Sequence, residues 1–231
     1  MQLYKILILS FTLLVTASCT SQDNYPAPSL TLEGGIYDLL TRGQEKELLI
    51  PAESPNEARI RIYEKNSTQA ETIWCKGDGS FINTKLFSGE YKLIPDGPFI
   101  VNQTDIVNVS IPTREKIKFY LEPYLRIKLK GSLNKEAKEA KFTFNISKSD
   151  AWNGILNQYI VLYSTTEHVS INSHIKSISK IITVDIESEF LDKDLEATIT
   201  DIDLTKPKFI RVGAKTEGTD YYNYSDVIEL K

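Results

Sequence analysis

Along most of the chain the apolar residues recur at every second position, and this habit restricts the fold more than any other feature. Ala58, Ile60 and Ile62 alternate with Arg59, Arg61 and Tyr63. Val107, Val109 and Ile111 repeat the pattern, as do Ile117, Phe119 and Leu121 against Lys116, Lys118 and Tyr120. Beyond Pro123 it resumes in Leu125, Ile127 and Leu129, and in Phe142, Phe144 and Ile146. It returns in Ile182, Val184 and Ile186, in Leu195, Ala197 and Ile199, and in Ile210, Val212 and Ala214. Successive strand side chains point to opposite faces, so each stretch reads as a strand with one wet and one dry face. Past the N-terminus no stretch carries a long amphipathic helical period. The expected fold class is all-β, with antiparallel sheets pressing their dry faces together as sandwiches.

Pro123 is the natural boundary. It lacks the N–H that a strand ladder needs, and it disfavours the helical region for Glu122. Residues 30–122 and 124–231 are each close to the roughly 100 residues of an immunoglobulin-type sandwich. Two tandem antiparallel β-sandwiches are therefore expected, held at a restricted angle by a very short junction; one large sandwich is the other reading. Gly77-Asp78-Gly79, between Trp74 and Phe81, reads as a hairpin. Ser88-Gly89-Glu90 and Asp96-Gly97-Pro98 read as further turns. The charged stretch from Gly131 to Lys141 reads as a solvated loop.

Residues 1–18 read as an address rather than fold. Lys5 precedes the apolar run Ile6 to Val15, which is too short for the ~20 residues of a membrane-spanning helix. Small residues then lead to Cys19, as at a signal-peptide cleavage point. The arrangement resembles a bacterial lipobox, although Thr16 stands where that pattern usually has Leu. The resemblance implies lipidation at Cys19, which would become the mature N-terminus. At ~0.8 kcal/mol per buried CH₂, several acyl chains anchor stably to a membrane. Ordinary secretion with an incidental Cys19 is the alternative. Residues 19–29, polar and Pro-containing, read as a tether. With Cys19 modified, Cys75 has no cysteine to pair with, and stability must come from packed cores.

The formal charge of −4, from 27 Lys and Arg against 31 Asp and Glu, argues against nucleic acid as a partner. Two Cys and two His exclude a cysteine-rich zinc site. His168 and His174 would stand ~20 Å apart on a strand, so they read as surface residues and no metal is expected. No G-x-S-x-G elbow, P-loop or H-E-x-x-H occurs. No cofactor and no catalytic residue are expected. Asp192, Asp194, Asp201 and Asp203 read as solvated turns or strand caps. Four aromatic residues stand out as candidate glycan contacts. Tyr221, Tyr222 and Tyr224 lie in or just after the expected Thr216 to Asp220 hairpin, and Trp152 lies in the loop-like KSDAWNG. Exposed rings stack on the C–H faces of sugars. The alternative is that one tyrosine plugs the end of the sandwich and the others lie flat on the strands.

Residues 32–99 also carry a resemblance. LEGGIYD (Leu32 to Asp38), ARIRIYE (Ala58 to Glu64) and DGSFINTKLFSGEYKLIPDGPF (Asp78 to Phe99) resemble the transthyretin-like, or carboxypeptidase-regulatory, sandwich family. FIRVGAKTEGTDYYNYSDVIEL (Phe209 to Leu230) resembles the last two strands of a fibronectin type III sandwich. With the lipobox, the tether and YLRIKL (Tyr124 to Leu129), the chain is similar to domain-of-unknown-function family 3823, two-domain lipoproteins of Bacteroidetes. That resemblance implies a non-catalytic lipoprotein of the outer membrane, facing the cell surface. It further implies glycan binding beside a starch-utilisation-type importer, made of a TonB-dependent transporter and a glycan-binding lipoprotein. A structural subunit that binds the importer proteins, or an adhesin, are the alternatives.

Overall fold

The computed structural model describes residues 26–52 and 57–231. The signal peptide, Cys19 and most of the tether lie outside the described residues. In the first half, β1 (Leu30–Asp38), β4 (Ser80–Leu86), β8 (Ile117–Pro123) and β6 (Phe99–Ile100) form one sheet, in the order β4-β1-β8-β6. It packs on a second, β3-β2-β5-β7, built from β2 (Arg59–Glu64), β3 (Glu71–Trp74), β5 (Gly89–Asp96) and β7 (Val107–Ile111). Their dry faces meet in a core that includes Leu32, Ile36, Ile60, Phe81, Leu93 and Phe119.

The second half repeats the plan. A sheet β13-β10-β9, made of β9 (Leu125–Asn134), β10 (Glu139–Lys148) and β13 (Asp194–Ile199), faces a larger one. The larger sheet comprises β11 (Leu156–Ser164), β12 (Lys180–Thr183), β14 (Phe209–Thr216) and β15 (Asn223–Tyr224), in the order β12-β11-β14-β15. The short β16 (Ile228–Glu229) also pairs with β14. Leu125, Phe142, Phe144, Ile146, Val161, Tyr163, Ile210 and Val212 fill the core between these sheets. Fully burying such a side chain contributes ~1.5–3 kcal/mol. The fold is thus all-β and sandwich-like, and no sheet draws strands from both halves among the described residues. One strand pair, β1 with β8, is parallel. The whole first half separates these two strands in sequence, so the long crossover that parallel pairing needs is available.

Several local expectations are corrected. Gly77-Asp78-Gly79 makes a tight turn, with Gly79 N–H donating to the Lys76 carbonyl at 2.8 Å, but it is not a hairpin. The strands that it joins, β3 and β4, belong to different sheets. Gly79 is needed there twice over: its φ is +89°, and a Cβ would lie 2.2 Å from the Ile50 carbonyl oxygen. The stretch Gly131 to Lys141 is mostly strand rather than loop. β9 and β10 stay in register out to Asn134 and Glu139, so only residues 135–138 turn. Leu133 and Ala140 pair across this ladder and pack on the core, but the charged residues around them mask the alternation. The alternating set Ile182, Val184 and Ile186 also breaks: Val184 is buried, but Ile186 is 54% exposed because the chain leaves β12 for a 3-10 turn.

The halves are joined through more than Pro123 and Tyr124. The outer face of the larger second-half sheet carries a small cluster of its own, made of Ile160, Leu162, Val169, Tyr222 and Tyr224. Arg211, 1% exposed, lies under it. Its guanidinium donates to the carbonyls of Ser225 and Val169 within the half, and to those of Ala52 (3.1 Å) and Gly77 (3.0 Å) across the seam. Tyr224 O–H donates to Glu57 at 2.9 Å, and the Asn223 amide donates to the Pro98 carbonyl at 2.9 Å. On another side of the seam Arg126 holds Asp38 in a bidentate pair at 2.6 and 2.8 Å.

Candidate functional site

Where β2, β3 and β5 end at the seam, their register sets Trp74, Arg59 and Asp96 side by side. Ile60 and Ile73 turn into the core beside them, so these three side chains face outward. Arg59 Nε donates to Asp96 at 2.8 Å, and its guanidinium carbon lies 5.5 Å from the centre of the Trp74 ring. Arg61, one outward position further along β2, donates to the same carboxylate oxygen at 2.6 and 3.0 Å. Burial pushes the Asp96 carboxyl up, but the bonds from Arg61 and Arg59 outweigh it and hold the group below the usual carboxylate range. Asp96 is therefore a fixed anion between two cations.

The second half completes the site. Arg59 also reaches the Tyr221 hydroxyl, at 3.4 Å. Arg59 and Tyr221 line an open groove of about 800 Å³ with Asn157, Lys215, Glu217 and Asp220. Next to it, the Tyr124 ring stacks on Trp152, with centroids 3.6 Å apart and planes tilted by 16°. Burial, and then the negative charge of Asp96, push the Tyr124 phenol up. Trp152 is locked by its Nε1–H, which donates to Thr216 Oγ1 at 2.8 Å. Gly154 makes that rotamer possible, since a Cβ there would sit 2.4 Å from the indole nitrogen. Trp74, Arg59, Tyr221, Tyr124 and Trp152 thus bring both tryptophans of the chain to one seam.

The four aromatic candidates separate. Tyr221 lines the groove and Trp152 flanks it, both half-buried. Tyr222 and Tyr224 do not belong to an exposed platform. They are 6% and 3% exposed, with ring centres 5.9 Å apart, because alternate strand positions share a face and this face is covered at the seam. Tyr222 bonds Gln158, and Tyr224 bonds Glu57 beneath the Arg211 guanidinium. Sequence reasoning passed over Trp74, Arg59 and Asp96. The available signal was the alternation itself, which puts a tryptophan on the wet face beside buried Ile73. Elsewhere, burial pushes the Cys75 thiol up to about 12, so it is not a nucleophile at neutral pH. Among the described residues no group of three or more His, Cys, Asp and Glu is placed to hold a metal ion.

Comparison with known proteins places this architecture. Solved structures of two DUF3823 family proteins resemble it. One is from Bacteroides uniformis (TM-score 0.74, 22% identity, covering 87% of this chain and 98% of that one). The other is from Parabacteroides merdae (TM-score 0.71, 19% identity, 89% and 100%). A further structure from Bacteroides uniformis, described as a "putative carbohydrate binding protein", is similar at TM-score 0.67 and 18% identity, over 88% of this chain and 99% of that one. At these identities the likeness is one of fold. A search of curated proteins finds no match to the chain. The family model for the N-terminal domain of the protein of unknown function DUF3823 matches residues 31–121. Residues 31–121 are thus a DUF3823 N-terminal domain.

Proposed function

We propose that the protein is a non-catalytic, glycan-binding lipoprotein of the bacterial outer membrane, and that the groove at the seam holds the sugar. The observation that carries this reading is a groove open to solvent that Arg59 and Tyr221 line, with Trp74 beside Arg59 and the stacked Tyr124–Trp152 pair next to it. Indole and phenol rings offer apolar faces for sugar C–H groups. The Arg59–Asp96 pair and Asp220 supply fixed donors and acceptors for hydroxyls at the sugar edge. The fold relative described as a "putative carbohydrate binding protein" supports the same class. The short apolar run ending at Cys19 supports a lipid anchor. β1 runs from the tether side at Leu30 toward Asp38 at the seam, so the proposed anchor and groove fall at opposite ends of the first half. A starch-utilisation-type importer, with its TonB-dependent transporter and glycan-binding lipoprotein, is the proposed setting.

Affinity electrophoresis through gels containing soluble polysaccharides tests the reading. The wild type should be retarded by at least one polysaccharide. Trp74→Ala and Tyr221→Ala should each weaken retention about 5- to 30-fold, as expected for loss of one stacking ring worth ~1 to 2 kcal/mol. Retention unchanged in both variants would remove the groove from the function.

One observation favours a second reading, a structural subunit that binds importer proteins. Leu39, Leu40 and Leu48 are 42%, 65% and 46% exposed. They share one loop, which the Leu48 N–H bond to Thr41 Oγ1 closes. Copurification of transporter proteins with the wild type, lost in a Leu40→Ser and Leu48→Ser double variant, would put that reading first.

A further inference from the structure

The groove is one end of a longer surface. Outward positions on β2 are Arg59, Arg61 and Tyr63, and register places Thr72 and Ile94 beside Arg61, and Lys92 and then Asn108 beside Tyr63. This is the outer face of the sheet β3-β2-β5-β7, and the hollow at its Tyr63 end is lined by residues of the first half. Four residues separate Arg59 from Tyr63 along β2, about 14 Å at about 3.4 Å per residue. At the far end Tyr63, Lys92 and Asn108 line a second hollow of about 520 Å³ with Glu90 and Ser110. A ring therefore stands at each end of the strip, Trp74 at the seam and Tyr63 in the hollow. Between them lie the paired Arg61 and Asp96 and the hydroxyl of Thr72.

We propose that the ligand is an extended oligosaccharide that occupies the seam groove and continues along this sheet face to stack its far units on Tyr63. The inference rests on the glycan-binding reading above and adds the ligand's length and direction to it. The chemistry of the strip favours a sugar chain over a protein partner. The centre of a protein interface is depleted of charged residues, whereas the middle of this strip is Arg61 with its carboxylate partner. Ile94 is the only aliphatic residue among the outward positions named here. Repeating hydroxyls match repeating polar side chains, and the two rings supply apolar stacking at intervals. Lys92 Nζ now lies 4.7 Å from the centre of the Tyr63 ring. Such an exposed cation–π contact is weak. The lysine can give up that contact to the sugar and turn its ammonium to a hydroxyl.

Isothermal calorimetry over chain length tests this. The probes are maltoheptaose, cellohexaose, xylohexaose and mannohexaose, each with its disaccharide. The wild type should bind one of the long oligomers at least tenfold more tightly than the matching disaccharide. Tyr63→Ala and Asn108→Ala should weaken the long oligomer about 5- to 10-fold, leave the disaccharide unchanged and melt at the wild-type temperature. If both variants bind the long oligomer as the wild type does while Trp74→Ala loses it, the ligand ends in the groove. That result overturns this inference and leaves the seam site standing. Equal wild-type affinity for long and short oligomers overturns it as well. A wild type that binds none of these probes and no polysaccharide in the gels overturns both readings together.

Discussion

Arg211 lies between Ile210 and Val212, which turn into the core, so alternation alone assigns it to solvent. The structure buries it instead, because β14 belongs to a sheet that is covered on both faces: one by its own core, the other by the seam cluster. A buried charge is tolerated only when it is well bonded. Arg211 donates to four carbonyls from four separate segments, and its guanidinium carbon lies 4.3 Å from the centre of the Tyr224 ring. Each buried carbonyl left without its donor costs ~1–3 kcal/mol. Arg211→Met should therefore destabilise the protein by at least ~3 kcal/mol, read as a lower urea midpoint; a shift of less than ~1 kcal/mol would remove the residue from this role. Tyr224 is held by the same logic. Burial, then the nearby Glu57, push its phenol far above the usual value, so it remains a neutral donor across the working pH range.

At the scale of elements, the loop after β1 shows how one carboxylate fixes a connection. Glu47 accepts from Lys118 Nζ at 2.7 Å, from the Tyr120 hydroxyl at 2.8 Å and from the Gly43 N–H at 3.0 Å. The Lys118 bond, then Gly43 and Tyr120, lower its pKa from 4.5 to about 2. Because the folded value lies below the unfolded one, this contribution to stability is complete above about 4.5 and is lost as pH falls toward about 2. Hydrogen exchange at the Gly43 amide should accelerate, relative to the intrinsic rate, over that window. Glu47→Gln should exchange faster at neutral pH and lose the pH response. An unchanged profile in the variant would show that another group closes the loop. The turn at Gly77-Asp78-Gly79 shows the reverse limit of local signals. Its residues specify a tight turn, but a turn does not specify whether the next strand rejoins the same sheet or crosses to the other.

At the scale of the whole molecule, the two cores are separate, yet the second half completes its buried polar groups with the first. A fragment comprising residues 124–231 keeps its own core of Phe142, Phe144 and Tyr163 but loses the carbonyls of Ala52, Gly77 and Pro98 that Arg211 and Asn223 use. The fragment should fold with a β-type circular dichroism spectrum and melt well below the full chain. The full chain should melt in a single transition. Two resolved transitions in the full chain, one matching the fragment, would show that the seam adds little.

Much of this protein was written in its sequence at short range. Alternation at Ala58 to Tyr63, Ile117 to Leu121 and Phe142 to Ile146 determined the strands and which face of each is dry, because strand side chains flip sides at every residue. Pro123 ends β8, and the apolar clusters on either side of it run to Leu121 and from Leu125. What the tertiary structure alone decided was which outward faces stay wet. Tyr224 and Arg211 are outward residues that the packing of one half on the other removes from water, whereas Tyr221, three residues before that end, keeps an edge in the groove. Trp74, Arg59 and Asp96 come from three different strands and become neighbours only through β-register, and they meet Tyr221 only because the halves dock. Local pattern records burial against the nearest sheet; burial at a seam depends on a partner surface that no periodicity encodes.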